Sequence, residues 1–233
     1  MRALLLAAGK ATRLGNLSKV SPKCLHEVGG VALLDHLVDQ LIAAGVDEFL
    51  INAHHLADQV FEHVSAASWS DRATVVNEES LLGTLGTLRM NADFFQGQGG
   101  WVLHADNYLS ASLTSVRDAF DARPDDVWGA MLTFEVDDPS SFGVVTVDTH
   151  GIVMCFQEKQ AEAQSRSASA ATYLFDDRVM DVVRRSHPEQ TDISHDLIPR
   201  LMGRLVAVPA YGDVIDIGTP EGLELARTNA AKG

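Results

Sequence analysis

Apolar positions in this chain follow two alternating rhythms, one of buried strands and one of amphipathic helices. Ala3 to Ala8 form an unbroken apolar run that stops at Gly9, the pattern of a strand covered on both faces. Leu33, Leu34, Leu37, Val38, Leu41 and Ile42 then recur at helical spacing, and Gly45 follows as a stop signal. Glu48 to Asn52 reads as a second strand, Leu56, Val60, Phe61 and Val64 as a second helix, and Ala73 to Asn77 as a third strand. A short helix over Gly86 to Ala92, a strand from Trp101 to Ala105 and a helix near Leu113 to Ala122 follow. This alternation predicts βαβ units and an α/β fold with a mostly parallel sheet. Ligands of such sheets bind beyond the carboxyl ends of strands, where Gly9 and Asp106 are both expected, facing one crevice.

The second half has a different texture. Val127 to Val136 reads as a long strand, and Gly143 to Asp148 pairs with Ile152 to Glu158 across Thr149-His150-Gly151 as a β-hairpin. A strand from Ala170 to Phe175 leads to helices over Arg178 to Arg185 and about Ile193 to Met202. Thr219-Pro220-Glu221 presents an N-cap, a proline at the first helical position and an early acid, so a last helix starts there. Gln160 to Ser169, rich in Ala, Ser and Gln, reads as a mobile loop. With no internal repeat and no interdomain linker, residues 1–233 read as a single domain.

Composition narrows the function classes. Hydrophobic residues are 46% and charged residues 21%, an ordinary globular balance. A formal net charge of −14 disfavours nucleic acid as a partner. No apolar stretch reaches membrane-spanning length and no secretory leader is visible, so the expected setting is cytoplasmic, without membrane attachment. Two cysteines, Cys24 and Cys155, offer no disulfide framework and read as packing residues of a reducing compartment. The nine histidines include adjacent His54 and His55, but none stands at zinc-ligand spacing.

Against this acidic background, the loop after the first strand gathers Lys10, Arg13, Lys19 and Lys23. Clustered cations beside a glycine turn suggest a polyanionic ligand, most simply phosphates. The loop reads Gly9-Lys-Ala-Thr-Arg-Leu-Gly15, which is neither the dinucleotide-binding G-x-G-x-x-G pattern nor a P-loop ending in Gly-Lys-Ser/Thr. An NAD-dependent oxidoreductase is thereby disfavoured.

Leu6-Ala7-Ala8-Gly9-Lys10-Ala11-Thr12-Arg13-Leu14, followed by Ser21-Pro22-Lys23, resembles the signature of the sugar-1-phosphate nucleotidyltransferases (nucleoside-diphosphate-sugar pyrophosphorylases). Further blocks of the same resemblance are Glu78 to Thr84, Ala105-Asp106-Asn107, Phe142 to Val145, Phe156 to Lys159, and Asp216 to Glu221. They occur in the family's order across nearly the whole chain. The resemblance implies a Rossmann-like three-layer αβα sandwich with a mostly parallel mixed central sheet and an added β-hairpin sugar-binding region. Residues 1–125 would mainly bind nucleotide and residues 126–233 mainly sugar phosphate.

It also implies roles. Leu6, Ala8, Gly9, Lys10, Ala11, Thr12 and Arg13 would bind the nucleotide, with the Gly9 loop and Arg13 at its β- and γ-phosphates and Lys23 on the α-phosphate. Glu78, Gly83 and Thr84 would lie about the base and ribose. Asn107, Gly143, Glu158, Lys159 and Ser169 would hold the sugar phosphate, Lys159 at its phosphate and Glu158 at ring hydroxyls. Asp106 and Asp216 would together bind Mg²⁺, which favours hard oxygen ligands completed by phosphates; strand-end Asx turns are the structural alternative for both. Arg13, Lys23 and Asp106 form the expected catalytic set.

The substrates implied are a nucleoside triphosphate and a sugar 1-phosphate, with GTP favoured and mannose- or heptose-1-phosphate as the sugar, in a monomer or homodimer. A uridylyltransferase for N-acetylmuramate- or hexose-1-phosphate and a cytidylyltransferase are alternatives, as is a catalytically silent sugar-nucleotide-binding regulatory subunit. Without a hexapeptide-repeat tail, the short bacterial single-domain type is expected. Ala11 stands where the family usually has glycine, Ala105 replaces a common glycine before Asp106, and Ser169-Ala170-Ala171 replaces the usual Asn-Ala-Gly. A backbone that needs positive φ at Ala11 would be strained.

Overall fold

The computed structural model describes residues 1–159 and 164–232. The chain forms two compact units, one built from Met1–Leu81, Leu103–Leu113 and Tyr211–Gly233, the other from Leu82–Val102 and Thr114–Ala210. Along the chain the elements are β1 (Arg2–Leu6), β2 (Glu27–Val28), β3 (Val31–Ala32), α1 (Leu33–Ala43), β4 (Glu48–Ala53), α2 (Ala57–Ala66), β5 (Ala73–Asn77) and α3 (Thr84–Met90). Next come β6 (Gly100–His104), β7 (Asn107–Leu109), α4 (Thr114–Asp121), β8 (Gly129–Glu135), β9 (Gly143–Val147), β10 (Val153–Glu158) and β11 (Ser167–Phe175). Finally α5 (Asp177–Arg184), β12 (Leu205–Pro209), β13 (Val214–Asp216) and α6 (Pro220–Ala230) complete the α/β architecture.

In the first unit, β1, β4 and β5 run parallel, with Leu4 opposite Leu50 and Leu50 opposite Thr74. The uniform apolar run of β1 is what a strand covered on both sides needs, and Ala3, Leu4 and Leu5 are fully buried. Helix α1 buries Leu33, Leu34, Leu37, Val38 and Leu41 of the stripe read from the sequence, and leaves its last member, Ile42, half-buried. It ends where Gly45, at φ +84°, takes the left-handed conformation. Helix α6 starts as expected: the Thr219 side chain accepts the Gly222 N–H, Pro220 opens the first turn, and Leu223 and Ala226 are buried. They pack with Val28, Leu33, Tyr108, Ile215 and Ile217 in one hydrophobic cluster.

In the second unit, β8 lies between antiparallel β11 and parallel β12. Strands β9 and β10 form the expected antiparallel hairpin, with Gly143 opposite Glu158. Its turn is held by Asp148, whose Oδ1 accepts the N–H groups of His150 and Ile152 at 2.8 and 2.9 Å. The register of β11 against β8 shifts between Ser169 and Tyr173, and within that bulge Ala171 has φ +50°.

Two expectations need correction. The continuous helix expected over about Ile193 to Met202 is instead a wide turn, Ile193–Leu197, followed by a tight one, Ile198–Leu201. Pro199 has no N–H to donate to the turn before it, so the α-helical ladder cannot run through. Of the expected loop over Gln160 to Ser169, residues 160–163 lie outside the described residues. Ser167 to Ser169 belong to β11, because Ala168 is fully buried between half-exposed serines and pairs with Phe134. That period-2 pattern of small residues was masked by the loop-like composition.

Candidate active site

The first unit brings four of the predicted charged residues into hydrogen-bonding contact. Strand β1 ends at Leu6, and the chain turns through Gly9 and Ala11 into two tight turns that carry Arg13 and Lys19. Pro22, in extended conformation, opens a third tight turn at Lys23. Lys23 is only 7% exposed, an unusual burial for a lysine. Its Nζ donates to Asp106 Oδ2 at 2.9 Å and to Asp216 Oδ1 at 2.7 Å. Arg13 donates to the other oxygen of Asp216 at 3.0 Å.

The meeting of Asp106 and Asp216 follows from strand register. Strand β7 begins immediately after Asp106, and antiparallel β13 pairs Val214 with Leu109, Ile215 with Tyr108 and Asp216 with Asn107. The N–H of Ile217 then donates to the Asp106 carbonyl at 3.2 Å. Asn107 is therefore directly opposite Asp216. Asp216 also forms an Asx turn, accepting the Gly218 N–H on Oδ1 at 2.7 Å, so the structural use of this aspartate coexists with its place among the cations. A Cβ at Gly218 would lie 2.7–2.8 Å from Asp216 Oδ1, Arg13 and Lys23 Nζ, so a side chain there would displace the charged groups of the cluster.

Burial by itself would raise the Asp216 carboxyl, but the Lys23 charge and hydrogen bond, the Gly218 N–H and Arg13 outweigh it and hold it below the usual range. On Asp106, the remaining oxygen lies 4.0 Å from His104 Nδ1. Two carboxylates that each offer an oxygen to the same ammonium form a focused pair of hard donors. Such a pair fits a divalent cation such as Mg²⁺ completed by phosphate oxygens and water. Among the described residues no group of three or more His, Cys, Asp or Glu converges on one point.

Beneath the loop, the buried Glu78 accepts from Asn52 Nδ2 at 2.9 Å, while Asn52 Oδ1 accepts the Ala7 N–H at 2.8 Å. Glu78 thus acts on the turn after β1 through Asn52. His54 Nδ1 contacts the Glu78 carbonyl at 2.7 Å. Asn52 and His54 were not among the predicted residues, although a polar residue at the end of an otherwise apolar strand is a readable signal. Leu6 and Ala8 are buried, Gly9, Lys10, Thr12 and Arg13 are exposed, and Ala11 sits at φ +50°.

The remaining predicted residues belong to the second unit. Gly83, at φ +75°, packs so closely on Thr191 that a Cβ would lie 2.4 Å from its carbonyl oxygen. Thr84 Oγ1 accepts the Ile193 N–H at 2.8 Å. At Gly143, a Cβ would meet the Phe156 ring at 2.4 Å and the Glu158 carboxylate at 2.6 Å. Glu158 and Lys159 lie 3.4 Å apart as an ion pair, and Lys159 itself has φ +46°. Ser169 Oγ accepts the Ala171 N–H at 3.2 Å and contacts the Tyr173 hydroxyl at 3.3 Å. Burial pushes the Tyr173 phenol up to about 12, against hydrogen bonds from Ser169 and Ser194. Tyr173 and Ser194 join this polar group without having been predicted, since both lie in segments that read as ordinary core or helix.

Comparison with known proteins places the chain in a family. Residues 2–233 match the family model for nucleotidyl transferases, and the chain belongs to that family. A protein of Sulfolobus acidocaldarius, provisionally described as a mannose-1-phosphate guanyltransferase, is 30% identical over 99% of this chain and 65% of its own length. The UTP–glucose-1-phosphate uridylyltransferase of a Synechocystis species is 27% identical over 94% of this chain and 60% of its own length. The chain therefore spans under two thirds of the length of either relative. A crystal structure of a Bacillus anthracis protein, provisionally described as a glucose-1-phosphate thymidylyltransferase, has the same fold. It superposes with TM-score 0.86 at 24% identity, over 99% of this chain and 95% of that one. Among the described residues no helix is long and apolar enough to cross a membrane.

Proposed function

We propose that this protein transfers a nucleotidyl group from a nucleoside triphosphate to a sugar 1-phosphate, yielding a nucleoside-diphosphate sugar and pyrophosphate. The single observation that carries this reading is the buried Lys23 ammonium held between Asp106 and Asp216, with Arg13 alongside. Family membership supports it. The reaction forms a P–O bond between a sugar-phosphate oxygen and the α-phosphorus, and breaks the α–β bridging P–O bond with its electron pair leaving on pyrophosphate. No general base is needed, because a phosphate monoester with a second pKa near ~6 is already mostly dianionic at neutral pH.

The protein's work is to hold two repelling anions in line and neutralise them. Arg13, exposed and forked, suits β- and γ-phosphate oxygens. Lys23 would turn from its carboxylates to the α-phosphate. The resemblance assigns the sugar phosphate to Lys159 and the ring hydroxyls to Glu158. Asp106 and Asp216 would hold Mg²⁺, which when bound neutralises charge on the triphosphate.

For the substrates we favour GTP and mannose- or heptose-1-phosphate, in line with the Sulfolobus relative; the Synechocystis relative keeps a uridylyltransferase as the second reading. Pyrophosphate release measured across four nucleoside triphosphates and a panel of sugar 1-phosphates, with Mg²⁺, tests both. Release with GTP alone supports the first reading and release with UTP alone the second. Release with none, or full release by a folded Asp106→Ala variant, overturns the catalytic assignment.

A further inference from the structure

The second unit has a cavity of about 400 Å³ walled by Trp128, Arg178, Asp181, Val182, Arg185 and Arg200, none of which belongs to the predicted site. Three arginines to one aspartate is an inverted balance in a chain of net charge −14. What each charge already does decides whether the cavity is a site. Arg178 pairs with Asp176 and donates to the carbonyls of Asp125 and Val127, so it is committed to the fold. Asp181 is taken by Arg184 at 3.2 Å and leaves the cavity little negative charge.

Arg200 has only a neutral partner, Gln190 Oε1 at 3.0 Å. The Arg185 side chain has no partner among the described residues. Arg178 and Arg204 stand 5.6 and 5.1 Å from the Trp128 ring centre, which fixes the indole in the wall. Two guanidinium groups without a carboxylate therefore line one concavity beside an aromatic ring. The chain's overall negative field repels anions at long range, so any anion retained here must be held by short contacts.

We propose that this cavity binds a phosphate-bearing small molecule, with Arg185 and Arg200 donating to the phosphate and Trp128 contacting the rest. Guanidinium forks match phosphate oxygens in pairs, and a cavity of this volume suits one small ligand. The site is independent of the Lys23 cluster and of the transfer reaction assigned to it.

The test uses the full chain. Of the three tryptophans only Trp128 lines the cavity, so a ligand-dependent change in indole fluorescence reports on Trp128. Inorganic phosphate and glucose 6-phosphate are titrated separately at constant ionic strength, into wild type, Arg185→Ala/Arg200→Ala, Trp128→Phe and Lys23→Met. The expected result is saturable binding that the double variant weakens about tenfold or more, that Trp128→Phe makes fluorescently silent, and that Lys23→Met leaves unchanged. Tighter binding of the ester than of the free ion would place an organic phosphate in the cavity, and equal binding would place the ion alone; either supports the site. No saturation, equal affinity in the double variant, or loss of binding in Lys23→Met overturns it.

Discussion

Lys23 Nζ lies 2.7 Å from Asp216 Oδ1, and the same ammonium reaches Asp106, so one buried cation separates two carboxylates that would otherwise repel. In Lys23→Met the carboxylates lose their shared counter-charge while the stem is kept. Breaking a buried pair from one side costs about 3–5 kcal/mol, but these aspartates are a third or more exposed and water takes up part of the loss. We expect a loss of about 1–3 kcal/mol in urea melts with EDTA present, with millimolar MgCl₂ restoring most of it. A variant equally stable with and without Mg²⁺ would argue against a cation site at these aspartates.

Ala11 and Ala171 share one irregularity: both are alanines at φ +50°. The left-handed region costs a Cβ-bearing residue about 1–2 kcal/mol, and glycine gives back part of this through its freer unfolded chain. Ala11→Gly and Ala171→Gly are each expected to raise stability by up to about 1 kcal/mol, read from denaturant midpoints. Destabilisation by both substitutions would mean that their loops do not hold the left-handed conformation.

His26 is held below its ordinary value of 6.5, first by burial and then by the charges of Arg227 and Lys23. A histidine depressed in this way protonates more readily in the unfolded chain. Its stabilising contribution is therefore complete above about pH 6.5 and fades as pH falls below that value. His26→Gln should lose less thermal stability than wild type between about pH 7.5 and about pH 5. Parallel melting curves for the two proteins would remove His26 from the acid response.

Cys24 is buried and its thiol is pushed up to about 12 by that burial, whereas Cys155 is half-buried on β10. Iodoacetamide at about pH 8 should label Cys155 in the native protein and spare Cys24 until the chain is denatured. Mass spectrometry of the labelled peptides distinguishes the two. Native labelling at Cys24 would show that the segment beside Lys23 opens.

How much of this could be read beforehand depended on the range of the forces involved. The strand at Arg2–Leu6, the stripe on Leu33–Ala43 and the start of Pro220–Ala230 rest on local periodicity and capping, and all three were legible. The turns over Ile193–Leu201 were not, because the apolar spacing suggested a helix and Pro199 decided otherwise. Lys23, Asp106 and Asp216 were named from motif blocks, but their contact depends on the register of β7 against β13, which no single segment encodes. The same holds for Asn52, which bonds to Ala7 and Glu78 from separate segments.

The division of the chain has a consequence for its synthesis. The first unit opens the sequence yet needs Tyr211 onward to supply Asp216, Gly218 and the helix that packs on Leu33, whereas the second needs nothing beyond Ala210. A ribosome working from the N-terminus therefore delivers every residue of the second unit first. Until the last segment emerges, Lys23 lacks one of its two carboxylates, and the unit begun earliest is the one finished latest.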